Sequence, residues 1–538
     1  MAVMTEYEEL LLLRKVVEDQ KKIIADQKEQ IEKQRIQIEN LTQAVLHARK
    51  KIYGASTEAT QIEGQMSLFE EEELLNSLME NQKEIIITEH KRKARQPGVR
   101  AEMIAGLPVE VEKCIVDPQE TCPKCASPLI TVGEKVIRSE VIYQPAVLKV
   151  VQYVQEVKKC SFCGTAHSEN PVSVFVTGKV PTSLLPHSLA SASLVAGILY
   201  QKYDMGVPLA RQERGWYRLG LVIYRSTMAN WIIRCSENYL EPVYKRIHQM
   251  LLGCEIVHGD ETRVQCNREP EKKASSESFM WVMRSGRSEP IQAVLFHYAS
   301  TRSREEARKL YAGFSGYLVT DAYTGYETLD GVIRALCWSH VRRYYIDSIP
   351  LDSKGKEIKG SKGAQGRAWC DSLFKIEKKI KDLTPEERLE KRREYSQPIL
   401  EGFWSWVDET SAKYTTNESL KKALAYTINQ KEYLKTFMED GRIPISNNDC
   451  ESCIRPFATG RKAWLFADSQ AGARASGIIY TIVETAKLNK LDVFQYLGYL
   501  LKNLPDLDPY NHPERLDQYL PWSDALPESC RLKEQMKN

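Results

Sequence analysis

The sequence predicts a multidomain α/β protein. Three observations carry that expectation: a seven-residue apolar register near the N-terminus, two C-x-x-C pairs flanking a strand-rich stretch, and a later run of apolar strands, two of which lead into an aspartate. At 538 residues the chain exceeds what one core fills, so three or more domains are expected. A hydrophobic content of 42% with 27% charged residues excludes wholesale disorder. Lys and Arg (75) against Asp and Glu (72) leave a net charge of +3, so nucleic-acid contact must come from local basic patches. The acidic opening MAVMTEYEELLLL has too short an apolar run for a signal segment, and no stretch reaches the length of a membrane span. A cytoplasmic protein is therefore expected, whose 13 cysteines read as reduced thiols and metal ligands.

Residues 1–50 are expected to form a coiled coil. One column reads Leu10, Val17, Ile24, Ile31, Ile38, Val45, and the column three residues on reads Leu13, Gln20, Gln27, Gln34, Leu41. The mostly β-branched first column suits an a position, while the glutamines weaken the seam; a homo-oligomer of open number follows. Residues 51–100 read as a linker, with the acidic QMSLFEEEEL followed by HKRKARQPGVR. Pro97 and Gly98 forbid a helix there, leaving Lys91, Arg92, Lys93 and Arg95 on an extended arm fit for phosphates or a minor groove, or simply solvated.

Within residues 101–175, Cys122-Pro-Lys-Cys125 and Cys160-Ser-Phe-Cys163 read as a zinc ribbon-like domain. Four sulfurs close the tetrahedron, so this zinc is structural. Residues 176–245 read as helical, with Pro208 opening one helix, a turn at Gly220, and Ser226 capping the next. Arg218 and Arg225 around that turn fit a helix-turn-helix-like DNA-binding region; a helical packing subdomain is the alternative.

From Glu255 the pattern turns to strands. EIVHGDETRV ends its apolar run at Asp260, two more strands and a helix follow, GYLVTDAY ends at Asp321, and VIRALCW leads into SHVRRYY. The order β-Asp, β, β, α, β-Asp, β, α is that of a ribonuclease H-like catalytic domain, here residues 246–490 with a helical insertion at about 350–440. Two acids at adjacent strand ends are the minimum for a divalent cation pair, and a third carboxylate is expected on a later helix. Glu451, in SNNDCESC, is that candidate behind the capping cluster Asn447-Asn448-Asp449, on a segment that reads as helical from Cys450 up to Pro456; alone, it also reads as the i, i+4 partner of Arg455. Cys450 and Cys453 lack a second thiol pair nearby and are not read as a zinc site.

HGDET, VTDAYTGY, CWSHVRRYY, NNDCESCIRPFATGRKAWLF and YTIVETAKLNKLDVFQYL, in this order, resemble the insertion sequence 66 family of bacterial transposases. KIYGAST, the paired C-x-x-C element and the LPW of the C-terminal element (491–538) match in order too. The chain departs from the family at Ala463, where asparagine is usual, and at Asp468, where glycine is usual; neither is a metal ligand. The resemblance implies an Asp-Asp-Glu triad at Asp260, Asp321 and Glu451 holding two Mg2+ (or Mn2+) ions, which cleave an element end and then drive attack of its 3′-hydroxyl on target DNA. Arg455, Arg461 and Lys462 are expected on phosphates, with surface solvation as the alternative; His340, beside Arg342 and Arg343, is expected on water or phosphate or else as a packed structural histidine, whereas His258 reads as structural. Small accessory proteins of the element and a place on the bacterial nucleoid are implied as well. The alternatives are a related nuclease that cuts without joining, and an inactive zinc-containing regulator.

The ribbon reading predicts one tightly held zinc per chain, lost on Cys122→Ser; metal analysis that finds none contradicts it.

Overall fold

The computed structural model describes residues 6–53, 148, 150–152, 157–159, 175–177 and 181–532 less 271, 274, 275, 508, 509 and 511. The four ribbon cysteines, the basic arm (Lys91, Arg92, Lys93, Arg95) and the linker from residue 54 lie outside them. The chain divides into two compact units, residues 1–60 with 154–532, and 61–153 with 533–538; nearly every described residue belongs to the first.

The heptad stretch is one helix, α1 (Glu6–Tyr53). Its a-column residues Val17, Ile24, Ile31, Ile38 and Val45 are 47–66% exposed, so among the described residues no element covers that seam. The c and f positions of the same register, on the opposite face, dock instead. Asn40 donates to Thr416 O (2.9 Å) and accepts from Glu418 N (3.2 Å). Gln43 makes a reciprocal pair with the Leu351 backbone (3.2 and 2.9 Å), and His47 bonds Ile349 O (2.9 Å).

Strands β1 (Val157–Lys159) and β2 (Phe175–Thr177) pair antiparallel. Helices α2 (Ala192–Tyr203), α3 (Leu209–Arg218) and α4 (Arg225–Cys235) follow, and one π-turn joins α4 to α5 (Glu241–Leu252). The expected helix starts shift slightly. Pro208 is extended and precedes α3 as its N-cap, and Tyr224 caps α4 two residues before the point at which Ser226 was expected to do so. Gly220 turns the chain between them at φ +87°, a conformation that a Cβ disfavours. Trp216, Met228 and Trp231 bury the inner faces, while Tyr217, Val222 and Tyr224 stay exposed beside Arg218 and Arg225.

The main sheet holds β3 (Ile256–Arg268), β4 (Glu277–Ser285), β5 (Val294–Ala299), β6 (Tyr317–Thr320) and β7 (Ile333–Leu336), in the order β5-β4-β3-β6-β7. Strands β3, β4 and β5 pair antiparallel; β6 runs parallel to both β3 and β7. Strand alternation feeds two cores: Val257 and Leu318 face one, Ile256 and Val319 the other. Helix α6 (Arg304–Leu310) links β5 to β6, and α7 (Trp338–Asp347) follows β7.

The second core is closed by the helices between α7 and residue 438: α8 (Lys362–Lys379), α9 (Pro385–Lys391), α10 (Gln397–Ser411), α11 (Glu418–Asn429) and α12 (Lys431–Lys435). Arg392 ties them together. Its side chain is fully buried and donates to both oxygens of Glu377 (2.8 and 2.7 Å) and to the carbonyls of Phe437, Asp440 and Ile443. On the other side α13 (Asn448–Trp464) and the short β8 (Ala467–Ser469), paired to the far end of β3, lead into α14 (Gln470–Leu488) and α15 (Val493–Asn503). Helix α14 seals the β5 edge: Thr481 Oγ1 accepts from Phe296 N (2.8 Å), and Thr485 Oγ1 from Val294 N (3.1 Å). Among the described residues no helix is long and apolar enough to cross a membrane.

Arg392→Ala leaves a carboxylate and three carbonyls without their donor, at a cost of about 3–5 kcal/mol. The insertion should then melt at lower temperature and be cut earlier by protease; an unchanged melting and cleavage pattern contradicts this.

Candidate active site

Strand register brings the first two acids together. Ile256, Val257 and His258 pair in parallel with Tyr317, Leu318 and Val319, so two residues further on Asp260 stands opposite Asp321. Asp321 lies just past the end of β6, but β3 does not end at Asp260 as the sequence had led us to expect. It continues to Arg268 because β4 keeps pairing with it; what ends beside Asp260 is the parallel neighbour. Gly259 is required here, since a Cβ would stand 2.4 Å from the Tyr311 hydroxyl.

Glu451 arrives on the first turn of α13, which runs through Pro456 to Trp464 instead of stopping at the proline. Asn447 precedes it as the N-cap, yet its side chain makes no capping bond. It is fully buried and reaches across to β3: Nδ2 donates to Gly259 O (2.9 Å), so Oδ1 accepts from His258 Nδ1 (2.8 Å). Its backbone N–H donates to Cys337 Sγ (3.1 Å), between β7 and α7, and its carbonyl accepts from Glu451 N (3.1 Å). Burial holds His258 down at about 4, so the ring is neutral and acts as a structural donor.

Asp260 senses the charge of the other two carboxylates. Burial first, then the charge of Glu261 and those of Asp321 and Glu451, push Asp260 up to about 7, against a 2.8 Å bond from Glu261 N. Arg302 answers this charge. It pairs with Glu261, lies 3.6 Å from Asp321, and stacks on the Tyr323 ring at 3.9 Å. Glu261, itself buried, also accepts from Tyr326 Oη (2.7 Å). Sequence reasoning passed over Glu261, Arg302 and the role of Asn447; the double acid in HGDET was the one available signal.

Among the ion pairs of the described residues none joins Glu451 to Arg455, and the Glu451 Oε1 atom is buried without a hydrogen-bond partner. The neighbouring Asp449 is instead held by Arg287 (2.7 and 2.5 Å) and Arg284 (3.3 Å), which keep its carboxyl below the usual range. Cys450 and Cys453 are buried in the first core, and burial pushes the Cys453 thiol up to about 11. They serve packing.

The expected DNA-contacting residues part company. Arg455 is exposed and lines a groove of about 490 Å³ with Ser452 and Thr459, facing Asp204 and Met205. Lys462 is exposed and Arg461 half-buried, both about two turns beyond. Arg342 is engaged with Asp371 (2.6 Å), joining α7 to α8, and Arg343 is half-buried on the same helix. His340 comes to Glu451, with Cys337 alongside. Arg225 is remote in sequence, exposed at the α3–α4 turn.

Comparison with known proteins matches residues 187–475 to the model of the transposase IS66 family, and 481–522 to the IS66 C-terminal element. Residues 119–164, which contain all four ribbon cysteines, match the zinc-finger binding domain of transposase IS66, and 40–111 match the transposase C of IS166 homeodomain. Similar proteins from Sinorhizobium fredii include the uncharacterized protein y4hP, 28% identical over 434 residues, covering 77% of this chain and 75% of the relative. The uncharacterized protein y4jD is 25% identical, covering 76% and 79% respectively.

The raised Asp260 carboxyl has a consequence for stability. The folded, metal-free chain binds a proton there that the unfolded chain, at its ordinary 3.8, has released, so stability falls as pH rises from about 4 to about 7. Asp260→Asn should raise the melting temperature of the metal-free protein at pH 8, with a smaller gain at pH 5. A variant no more stable than wild type at pH 8 contradicts the charge cluster.

Proposed function

The chain belongs to the transposase IS66 family, and from that premise we propose that it binds insertion-sequence ends, cleaves them and joins them to target DNA at a site built from Asp260, Asp321 and Glu451. The observation that carries this reading is the electrostatic pressure of Glu261, Asp321 and Glu451 on a half-buried Asp260. Hard oxygen donors gathered around negative charge that Arg302 compensates only in part fit Mg2+ or Mn2+, two per site. Bound there, the ions supply Lewis-acid activation of water or a 3′-hydroxyl and stabilise the leaving oxygen.

The chain's own residues do the rest. Asp260 and Asp321 are held by the sheet register, Asp321 also accepting from Tyr323 N (2.9 Å), and the influence of Glu451 on Asp260 from the first turn of α13 supports its reading as the third acid. Arg302 offsets part of the local charge and keeps Glu261 out of the ligand set. The sheet order, three antiparallel strands followed by two parallel ones beside the first, supports a ribonuclease H-like catalytic domain.

Arg455 lies in the groove on the outer face of the glutamate helix, where a phosphate backbone would run within reach of Arg461 and Lys462. The exposed Tyr217, Tyr224, Arg218 and Arg225 around the α3–α4 turn suit contact with the element end. The arm Lys91 to Arg95 adds backbone charge, and Cys122, Cys125, Cys160 and Cys163 would hold the structural zinc of the matched domain. The exposed a column of α1 supports pairing with a second copy of this chain.

The test is magnesium-dependent cleavage of a labelled duplex carrying the element's own ends. Glu451→Gln should lower it on the order of a hundredfold or more while DNA binding persists. Cleavage that survives the substitution removes Glu451 from the site. Product joined to a target duplex separates a transposase from a nuclease that only cuts.

A further inference from the structure

The third acid has a second set of neighbours. Cys337 closes β7 and His340 lies on the first turn of α7, so the C-x-x-H spacing turns both side chains to one side of the helix start. Donor atoms of Cys337, His340 and Glu451 all lie within 4.8 Å of one another. Among the described residues these three are the group with the donor types and proximity of a metal site. The Cys337 side chain is fully buried, and the Glu451 Oε1 atom is buried without a hydrogen-bond partner.

We infer that Cys337, His340 and Glu451 form a transition-metal site that takes Zn2+, and that filling it draws Glu451 out of the carboxylate cluster. The first half stands on this geometry alone; the second rests on the reading of Glu451 as the third acid of the active site. Thiolate and imidazole are soft and borderline donors that favour zinc over magnesium, whereas Asp260 and Asp321 offer hard oxygen only. Donors on tetrahedral zinc stand about 3.5 Å apart, given bonds of about 2.0–2.3 Å. The three atoms therefore close by about an ångström, a movement within reach of the Glu451 and His340 side chains. The fourth position is left for water. Binding replaces the thiol proton by the metal and releases that proton to solvent, so zinc affinity falls as pH falls. Zinc that draws the Glu451 carboxylate toward Cys337 and His340 takes it away from Asp260 and Asp321, and in this way zinc and magnesium compete through it.

The experiment is a zinc titration of the full chain, already loaded at its four-cysteine domain, against a chromophoric chelator. One further equivalent is expected, lost in Cys337→Ser, weakened at least about tenfold in His340→Gln, and kept in Asp260→Asn. The four-cysteine domain contributes no histidine, so the His340→Gln result decides the matter if Cys337→Ser fails to fold. Zinc added over magnesium should also slow cleavage by the wild type more than by Cys337→Ser. No further equivalent, or one that survives both substitutions, overturns the site; a bound equivalent without effect on cleavage overturns the competition. Zinc stoichiometry is read without activity. A Glu451→Gln enzyme that still cleaves therefore sinks the active-site reading, and an absent equivalent sinks the zinc site alone.

Discussion

The side-chain amide and backbone of Asn447 hold the acid-bearing elements in one place. Three segments that meet nowhere else in the sequence converge on it: the β3 residues just before Asp260, the end of β7 next to the Asp321 strand, and the first turn of the Glu451 helix. Every one of its polar groups is used and all are buried, so the knot is costly to half-break. An aspartate there would carry a charge into a dry pocket beside carboxylates already in tension, and an alanine would orphan His258 and the Gly259 carbonyl. The neutral state of His258 follows from the same confinement. Because the imidazole donates and is neutral above about pH 4, it adds no positive field beside Asp260 there, and the answering cation is Arg302.

Much of this was readable in the chain because it is written in local patterns. The succession of strands and helices after Glu255, the two aspartates and the helix bearing the glutamate emerge from apolar runs and their punctuation. What was lost was long-range. SNND reads as a capping cluster, since asparagine before a helix usually bonds the helix's own amides; only the fold shows that Asn447 turns to a strand 188 residues earlier. Asp449 and Glu451 look equivalent in sequence, yet one meets Arg284 and Arg287 and the other comes to Cys337 and His340. Arg342 looked like a phosphate ligand because basic residues cluster in VRRYY, but α8 brings Asp371 to it. Proline inside the glutamate helix was taken as its end, and packing of Cys453, Ile454 and Phe457 carries the helix past it.

The N-terminal helix illustrates how one heptad register can serve two purposes. Its polar outer face reads backbone groups of the loops that flank the insertion, leaving the apolar columns outward. Backbone-directed amides such as Gln43 fix rotation about the helix axis, so a helix pairing there would meet a seam whose direction the insertion has set. Any assembly along that seam is thereby linked mechanically to the second core, and through Trp338 and Tyr345 to the helix that carries His340.

The sealing of β5 by Thr481 and Thr485 also says something about how the protein is made. The amide of Phe296 waits for a hydroxyl that lies 185 residues later in the chain. At about 5–20 residues per second of synthesis, that edge stays open for roughly 10–40 s on the ribosome. During that interval β5 offers unpaired N–H groups flanked by Val294, Leu295 and Phe296, a template for strand addition by another nascent copy. Until translation delivers its last hundred residues, the sheet has one raw side, and the yield of folded protein depends on what shields it.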